Sequence, residues 1–482
     1  MRRAASSKRT VLALGVAALG FGRAVVPGSP EVAADVRPSF VFVIADDLDA
    51  ASVQRLPGLI DRIAAQGVAF TNGFANQPTC CPSRVSMLRG EYTHNHGIHR
   101  NFDSSGSCFE AFRDRGLESS TLARWLGGAG YRTGLVGKYL NRYPGTRDGA
   151  DPSHVPGGWD EWSVPLFQPG NDYFDYSMNQ NGRIVERGRG EADYMTDVLA
   201  ERAVQFIRNA GEEPFFLQLN PPAPHRPATP APRHAVAFDG LLAPRTPSFN
   251  EADMSDKPAW YRDNLTPMTE GDVARMDDLY RNRLRTMLAV EDLIERVDEA
   301  LLETGRFENT YVVFVSDHGF HLGHHRFRQG KSTPYEPAIR IPLMMRGPRI
   351  PVGRSLDHLV TTVDLPATLI ELAGVTAPGH VDGRSLVPLL GETPPPAASW
   401  RTEVLIERLP APADDEGIPA WWGLRTLDAM YAEYETGEVE YYDLRSDPDQ
   451  LESLHDRLDP ALLDDLHVRL EEWLSCAGAS CR

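Results

Sequence analysis

The sequence predicts an α/β protein with a small antiparallel sheet and a terminal helix at its C-terminal end. Three patterns carry that reading. Continuous apolar runs rich in β-branched and aromatic residues recur between residues 40 and 315, as in strands buried on both faces. Helical periodicities lie between them, the alternation of a sheet built with crossover helices. Beyond Thr393-Pro394-Pro395-Pro396 the pattern changes to short, closely spaced strands separated by turn residues.

Taken in order, residues 40–45 form the first buried strand, which stops at Asp46-Asp47-Leu48-Asp49. Leu122, Trp125 and Leu126 make one face of a short helix over 121–128, and Gly130 breaks it before a strand at 133–136 that runs into Gly137-Lys138. The strand 215–219 enters the loop Asn220-Pro221-Pro222-Ala223-Pro224-His225. From 272 to 304 one apolar stripe, including Met276, Leu284, Met287, Ile294 and Leu301, marks a long helix, and Gly305 stands where a C-terminal cap belongs. The strand 311–315 then delivers Ser316-Asp317-His318-Gly319. After the proline run, 403–406, 423–426, 430–434 and 439–444 read as the small sheet and 462–474 as an amphipathic helix. The expected organisation is a leader at 1–35, a large domain at 36–392 and a small α+β subdomain at 393–482.

Composition excludes several classes. With 41% hydrophobic and 24% charged residues the chain is neither disordered nor fibrous. Its 67 acidic against 49 basic residues leave a formal charge of -18, so broad binding to nucleic acid is excluded and an anionic substrate needs a local basic site. At the N-terminus Arg2, Arg3, Lys8 and Arg9 precede an apolar run at 11–22 closed by Arg23. That is the form of a secretory signal, too short to cross a bilayer. No later segment reaches membrane length, so an exported protein without a membrane span is expected. Of the five cysteines, Cys476 with Cys481 could close a local disulfide and Cys81 with Cys108 a second. Cys80 is left over, either a thiol with a role or a small buried apolar residue.

Asp46-Asp47 and Asp317-His318 each follow an apolar strand directly. Singly such pairs are turns or caps; together they can supply ligands to a hard cation such as Ca²⁺. The strongest motif is Cys80-Cys81-Pro82-Ser83-Arg84, followed by Met87-Leu88 and Gly90. It resembles the signature of the type I, formylglycine-dependent sulfatases. The resemblance runs from residue 39 to about 456 and is strongest to N-acetylglucosamine-6-sulfatases and extracellular heparan endosulfatases. Tyr92-Thr93-His94-Asn95-His96, Gly137-Lys138-Tyr139-Leu140-Asn141, Ala223-Pro224-His225, Ser316-Asp317-His318-Gly319, Gly330-Lys331-Ser332-Thr333-Pro334-Tyr335-Glu336 and Tyr441-Tyr442-Asp443-Leu444 carry it further.

The resemblance implies an alkaline-phosphatase-like fold with a large mixed sheet flanked by helices. It implies that a formylglycine-generating enzyme oxidises Cys80 to Cα-formylglycine, and that Asp46, Asp47, Asp317 and His318 bind Ca²⁺ together with position 80. His318 stands where many relatives have Asn, and imidazole is an unusual ligand for a hard cation. Arg84 would hold the aldehyde hydrate, Lys138 and Lys331 the sulfate oxygens, and His225 the ester oxygen or the leaving alcohol. A thiol would trap the enzyme as a stable thiosulfate, whereas a hydrated aldehyde can attack sulfur and later expel sulfate. Many relatives have Lys-x-His where this chain has Lys138-Tyr139-Leu140; the N-acetylglucosamine-6-sulfatase branch shares the departure, and Asn141 is a candidate to orient the hydrate.

The expected function is hydrolysis of sulfate esters on a sulfated carbohydrate, such as an N-acetylglucosamine-6-sulfate or other glycosaminoglycan unit. The alternatives are a phosphonate or phosphate ester hydrolase with the same site, or a non-catalytic secreted glycan-binding protein if Cys80 is unmodified. Three further features carry secondary expectations. His94 and His96 either line the pocket or pack in the core; His321, His324, His325, Arg326, Arg328 and Lys331 read as an anion-facing wall; Trp421-Trp422 read as core rather than as a sugar platform.

Overall fold

A computed structural model describes residues 37–103, 106–147, 149–166, 173–410 and 417–482, so the expected leader at 1–35 lies outside the described residues. Residues 37–482 form one compact unit.

Ten strands make the large sheet: β1 Ser39–Ala45, β2 Val68–Phe74, β3 Arg132–Gly137, β4 Glu161–Pro165, β5 Tyr176–Gln180, β6 Arg183–Arg187, β7 Phe215–Asn220, β8 Thr310–Ser316, β9 Leu343–Arg346 and β10 Arg354–Thr361. Their spatial order is β10-β2-β9-β8-β1-β7-β3-β4-β5-β6. β1 lies at the centre, parallel to β8 (Val43 opposite Phe314) and to β7 (Val41 opposite Leu217). β3 continues the parallel set beside β7. β9 is antiparallel to both β8 and β2, and β5–β6 close the far edge as a hairpin, so the sheet is mixed.

The alternation of side chains along β1 divides the core. Val41, Val43 and Ala45 face a layer containing α3 (Met195–Asn209) and α4 (Glu270–Glu303); Phe40, Phe42 and Ile44 face one containing α2 (Leu122–Gly128) and α5 (Asp364–Leu372). With both faces covered, every residue of β1 is buried, and each of its larger apolar side chains contributes roughly 1.5–3 kcal/mol of transfer free energy. α4 starts at a capping box in which Thr269 and Asp272 satisfy each other's backbone N–H, and it ends at Thr304, with Gly305 in the left-handed conformation (φ 67°).

A second sheet, β11 Glu403–Arg408, β12 Trp421–Thr426, β13 Ala429–Tyr434 and β14 Val439–Asp443, is antiparallel throughout. α6 (Pro460–Leu474) buries Leu466 and Leu470. One apolar cluster joins the sheets: Phe74, Tyr335, Val404, Ile406 and Trp421 share it. Cys81–Cys108 and Cys476–Cys481 are disulfides, and Cys80 is free and buried.

His96 is buried and His94 half-buried, each held by internal hydrogen bonds. His96 Nε2 lies 3.1 Å from Ser86 Oγ. His94 places Nδ1 3.0 Å from Glu407 Oε2 and Nε2 3.1 Å from the Cys476 carbonyl, so both ring nitrogens face acceptors. Burial opposes charge on this ring, but the Glu407 carboxylate and the Cys476 carbonyl outweigh it and hold the pKa above its usual value of 6.5. A raised folded pKa stabilises fully below the unfolded value, and that stability is lost as pH rises through the higher folded value. The Tm of the wild type is therefore expected to fall between pH 6 and pH 8.5 by more than that of His94→Gln. Parallel slopes in thermal scans would remove His94 as the cause.

Candidate active site

Four adjacent parallel strands, β8, β1, β7 and β3, deliver polar residues at the same end of the sheet, where open α/β sheets place ligands. β1 ends at Asp46-Asp47, β8 at Asp317-His318, β3 at Lys138, and β7 enters the loop that carries His225. At Asp47 the backbone turns left-handed (φ 73°), a conformation an Asp side chain tolerates. The turn is held: the Asp47 N–H donates to Asp317 Oδ1 at 3.0 Å and the Leu48 N–H to Ser316 Oγ at 2.8 Å.

Cys80 is the first residue of α1 (Cys80–Arg89), a helix buried along its whole length. Ser83 Oγ donates to the Asp317 carbonyl at 2.6 Å, and Arg84 Nε donates to Asp317 Oδ2 at 2.9 Å. Arg84 Nη1 also reaches the Lys138 carbonyl at 3.2 Å, and Nη2 stands 3.9 Å from Asp46 Oδ1. Lys331 Nζ is 2.6 Å from Asp47 Oδ1 and 2.8 Å from Cys80 Sγ; Lys138 Nζ is 2.5 Å from Asp46 Oδ2. His318 Nε2 lies 3.3 Å from Cys80 Sγ, and His225 Nε2 lies 3.9 Å from Asp47 Oδ2. Asp46, Asp47, Cys80, Arg84, Lys138, His225, Asp317, His318 and Lys331, chosen from separate stretches of sequence, thus converge.

The charges compensate one another. Burial alone would raise the Asp46 carboxyl, but Lys138, His225 and Arg84 hold it well below the carboxylate range. Lys331, His225 and His318 do the same for Asp47. Burial disfavours the Lys138 and Lys331 ammonium groups, yet Asp46 beside the first and Asp47 beside the second raise both. Burial pushes the Cys80 thiol up to about 12 in spite of the two lysines, so as a thiol it stays protonated at neutral pH and is a poor nucleophile. Burial also lowers His225 and His318, against the pull of the neighbouring carboxylates.

The donor set suits a divalent cation. Asp46, Asp47, Cys80 and His318 each offer one ligand atom, all within 4.8 Å of one another. Asp46 Oδ1 is buried and has no hydrogen-bond partner among the described residues. His318 Nδ1 lies 2.8 Å from the Gly319 carbonyl; a carbonyl only accepts, so Nδ1 carries the proton and the Nε2 lone pair points at Asp47 Oδ1, 3.2 Å away. A lone pair facing a carboxylate is repulsive, and a bound cation reverses that. Asp317 lies alongside, with Oδ1 3.5 Å from His318 Nε2 and Oδ2 engaged by Arg84.

A cavity of about 450 Å³ opens beside this cluster, lined by Asp46, Lys138, Asn141, His225 and Arg226 among others. Asn141 faces it with Oδ1 buried and unpartnered among the described residues. Tyr139, in the Lys138-Tyr139-Leu140 departure, instead packs edge-on against Trp162 and Phe109.

The anion-facing wall expected at 321–331 is not formed. His321 and His325 are buried, bonded to Thr333 Oγ1 (2.7 Å) and Glu251 Oε2 (2.6 Å). Arg326 donates to the Glu251 carbonyl, and Arg328 pairs with Asp272. The loop folds back on itself through left-handed residues at 325 and 326, which turns these side chains toward the protein. Of that run only Lys331, among the described residues, reaches Cys80. Trp421 is fully buried, in the core as expected.

Arg283, on α4, was not anticipated. It is buried, donates to the carbonyls of Asp47 and Pro224, and lies 4.1 Å over the Phe320 ring. It ties the Asp47 turn to the His225 loop. An arginine beside Leu284 on the apolar stripe was the available signal. Tyr173 is a second: its hydroxyl donates to the His225 carbonyl at 2.8 Å.

The family model described as Sulfatase matches residues 38–375, and that described as N-sulphoglucosamine sulphohydrolase, C-terminal, matches 323–475. The extracellular sulfatase SULF-1 homolog of Drosophila melanogaster is 36% identical over 361 residues, which are 73% of this chain and 31% of that protein. This chain therefore spans only about a third of that relative. The N-acetylglucosamine-6-sulfatase of Homo sapiens is 33% identical over 481 residues, 92% of this chain and 86% of that one. Among solved structures, BT4656 in complex with its substrate D-glucosamine-2-N,6-O-disulfate superposes with a TM-score of 0.76 at 25% identity, covering 90% of this chain and 97% of the other.

Proposed function

The chain belongs to the sulfatase family, and we propose that it is an exported enzyme that hydrolyses a sulfate ester on a sulfated sugar, with 6-O-sulfated N-acetylglucosamine in an oligosaccharide or at a chain end as the substrate. The observation that carries this reading is a pair of largely buried ammonium groups, Lys331 2.8 Å from Cys80 Sγ and Lys138 paired with Asp46, the latter two lining a cavity large enough for a sugar. The human relative bears the name of that activity, and BT4656 was solved with a 6-O-sulfated glucosamine.

Oxidised to formylglycine by a formylglycine-generating enzyme and hydrated, position 80 would supply an oxygen nucleophile in place of the protonated thiol. A Ca²⁺ held by Asp46, Asp47, Asp317 and His318 would supply positive charge next to it. Lys138 and Lys331 hold the sulfate oxygens, and their charges are in place before the reaction, so developing negative charge is met without reorganisation. Arg84, locked by Asp317 and the Lys138 carbonyl, fixes the orientation of the group at position 80. His225 Nδ1 lies 2.7 Å from the Arg226 carbonyl, so in the neutral ring Nε2, turned toward Asp47, is a lone pair. It delivers a proton to the leaving alcohol only as the imidazolium, which Asp47 and Asp46 favour against burial, a general-acid role worth roughly 10²–10⁴-fold. Export is supported by the charged and apolar N-terminal segment and by the two disulfides. Among the described residues no helix is long and apolar enough to cross a membrane.

The test is release of sulfate from N-acetylglucosamine-6-sulfate, run beside matched aryl sulfate and aryl phosphate esters. Sulfate release with a lower kcat/KM on the phosphate ester is expected. A preference for phosphate would replace this reading with the phosphoesterase one.

A further inference from the structure

We propose that Trp421, on the small C-terminal sheet, is a positioning residue for Lys331, and that through it the second sheet sets the geometry of sulfate binding. The proposal rests on the role given to Lys331 above.

The segment that carries Lys331 has little regular structure of its own. Lys331 follows Gly330 and precedes Ser332, whose backbone is left-handed (φ 75°) although it carries a side chain. Such a conformation persists only when the surroundings over-determine it. Two anchors from distant parts of the chain do so. The indole Nε1–H of Trp421 donates to the Ser332 carbonyl at 2.9 Å. On the other side Ser332 Oγ lies 3.1 Å from the hydroxyl of Thr79, the residue before Cys80. Ser332 and Trp421 are both fully buried. The same dipeptide therefore joins the helix start that bears Cys80, the ammonium group 2.8 Å from Cys80 Sγ, and the first residue of β12.

Trp421 is itself fixed. It pairs with Arg408 on β11 and Tyr434 on β13 and sits in the apolar cluster with Phe74 and Tyr335. Three residues beyond Ser332, the Tyr335 hydroxyl donates to Glu440 Oε1 on β14 at 2.8 Å, a second tie to the same sheet. Trp421 does not line the cavity beside Cys80. Its effect on the reaction must pass through the Lys331 backbone, and a lysine is sensitive to that: a long, flexible stem delivers its charge only as accurately as its backbone is held.

The experiment is a double-mutant cycle with the fully matured enzyme. Trp421→Phe keeps an aromatic ring but removes the donor and part of the indole's volume; Lys331→Ala removes the group it positions. Lys331→Ala is expected to lower kcat by about 10²–10³-fold. Trp421→Phe is expected to lower kcat about tenfold in the wild type, with KM changed less than twofold, and by less than twofold when Lys331 is already alanine. Leu424→Ala, a buried residue of the same strand, controls for loosening of the small sheet; it should lower Tm while kcat per folded molecule stays within twofold of wild type. Equal losses from Trp421→Phe in both backgrounds, or no loss in the wild type, would overturn the positioning role. Full activity of Lys331→Ala would instead overturn the role of Lys331 and the proposal with it.

Discussion

Cys80→Ala is expected to abolish sulfate release, by about 10⁵-fold in kcat, with Tm nearly unchanged. Two features argue for so large a loss without unfolding. Cys80 is fully buried, and its sulfur lies within 3.3 Å of His318 Nε2 and 2.8 Å of Lys331 Nζ, so the reacting group has no substitute nearby. Alanine is also well tolerated at the first position of a helix whose packing is made by Val85, Met87 and Leu88. Measurement of kcat on an aryl sulfate beside a thermal melt separates the two effects. The mass of the tryptic peptide 63–84 from secreted protein gives the chemistry directly: an aldehyde at position 80 with sulfur retained at Cys81 is expected. An unmodified thiol in active enzyme would end the formylglycine mechanism.

Asp317→Ala carries the second large effect, and here activity and stability fall together. The Asp317 carboxylate accepts from Arg84 Nε and from the backbone N–H groups of Asp47 and His318, each at 2.9–3.0 Å, with none of these groups exposed to water. Its removal leaves a buried guanidinium without its main partner, a change that costs about 3–5 kcal/mol, and frees the turn that aims Asp47. A kcat loss of at least about 10³-fold is expected, not restored by excess Ca²⁺, together with a clear fall in Tm. Asp317→Asn, which can still accept from the backbone, should recover part of the Tm and little of the rate. Rescue of the rate by Asn would show that the charge of Asp317 is dispensable.

Much of the site was legible because its groups sit at strand ends. The runs at 40–45 and 311–315 read as buried strands bounded by turn residues, and the carboxylates directly after each then lie at the strands' C-terminal ends. Less regular parts were not legible. The strand Arg183–Arg187 is polar and half exposed, and Val68–Phe74 holds Thr71 and Asn72, so neither shows a clean apolar period. The basic run at 321–331 misled for a related reason: charge along a sequence says nothing of direction once left-handed residues turn the chain.

By itself the sequence determined the α/β class and where the principal strands lie along the chain, and it named the groups proposed to react and two cysteine pairs able to form disulfides, because apolar period and motif spacing are local properties. Only the tertiary structure decided that Arg283 and Tyr173 brace the site, that His321 and His325 are buried rather than facing the substrate, and that Trp421 of a separate sheet holds the segment of Lys331. Those are contacts between residues tens to hundreds of positions apart. Their hydrogen bonds exist only once the backbone has brought the groups together, so no pattern in the chain anticipates them.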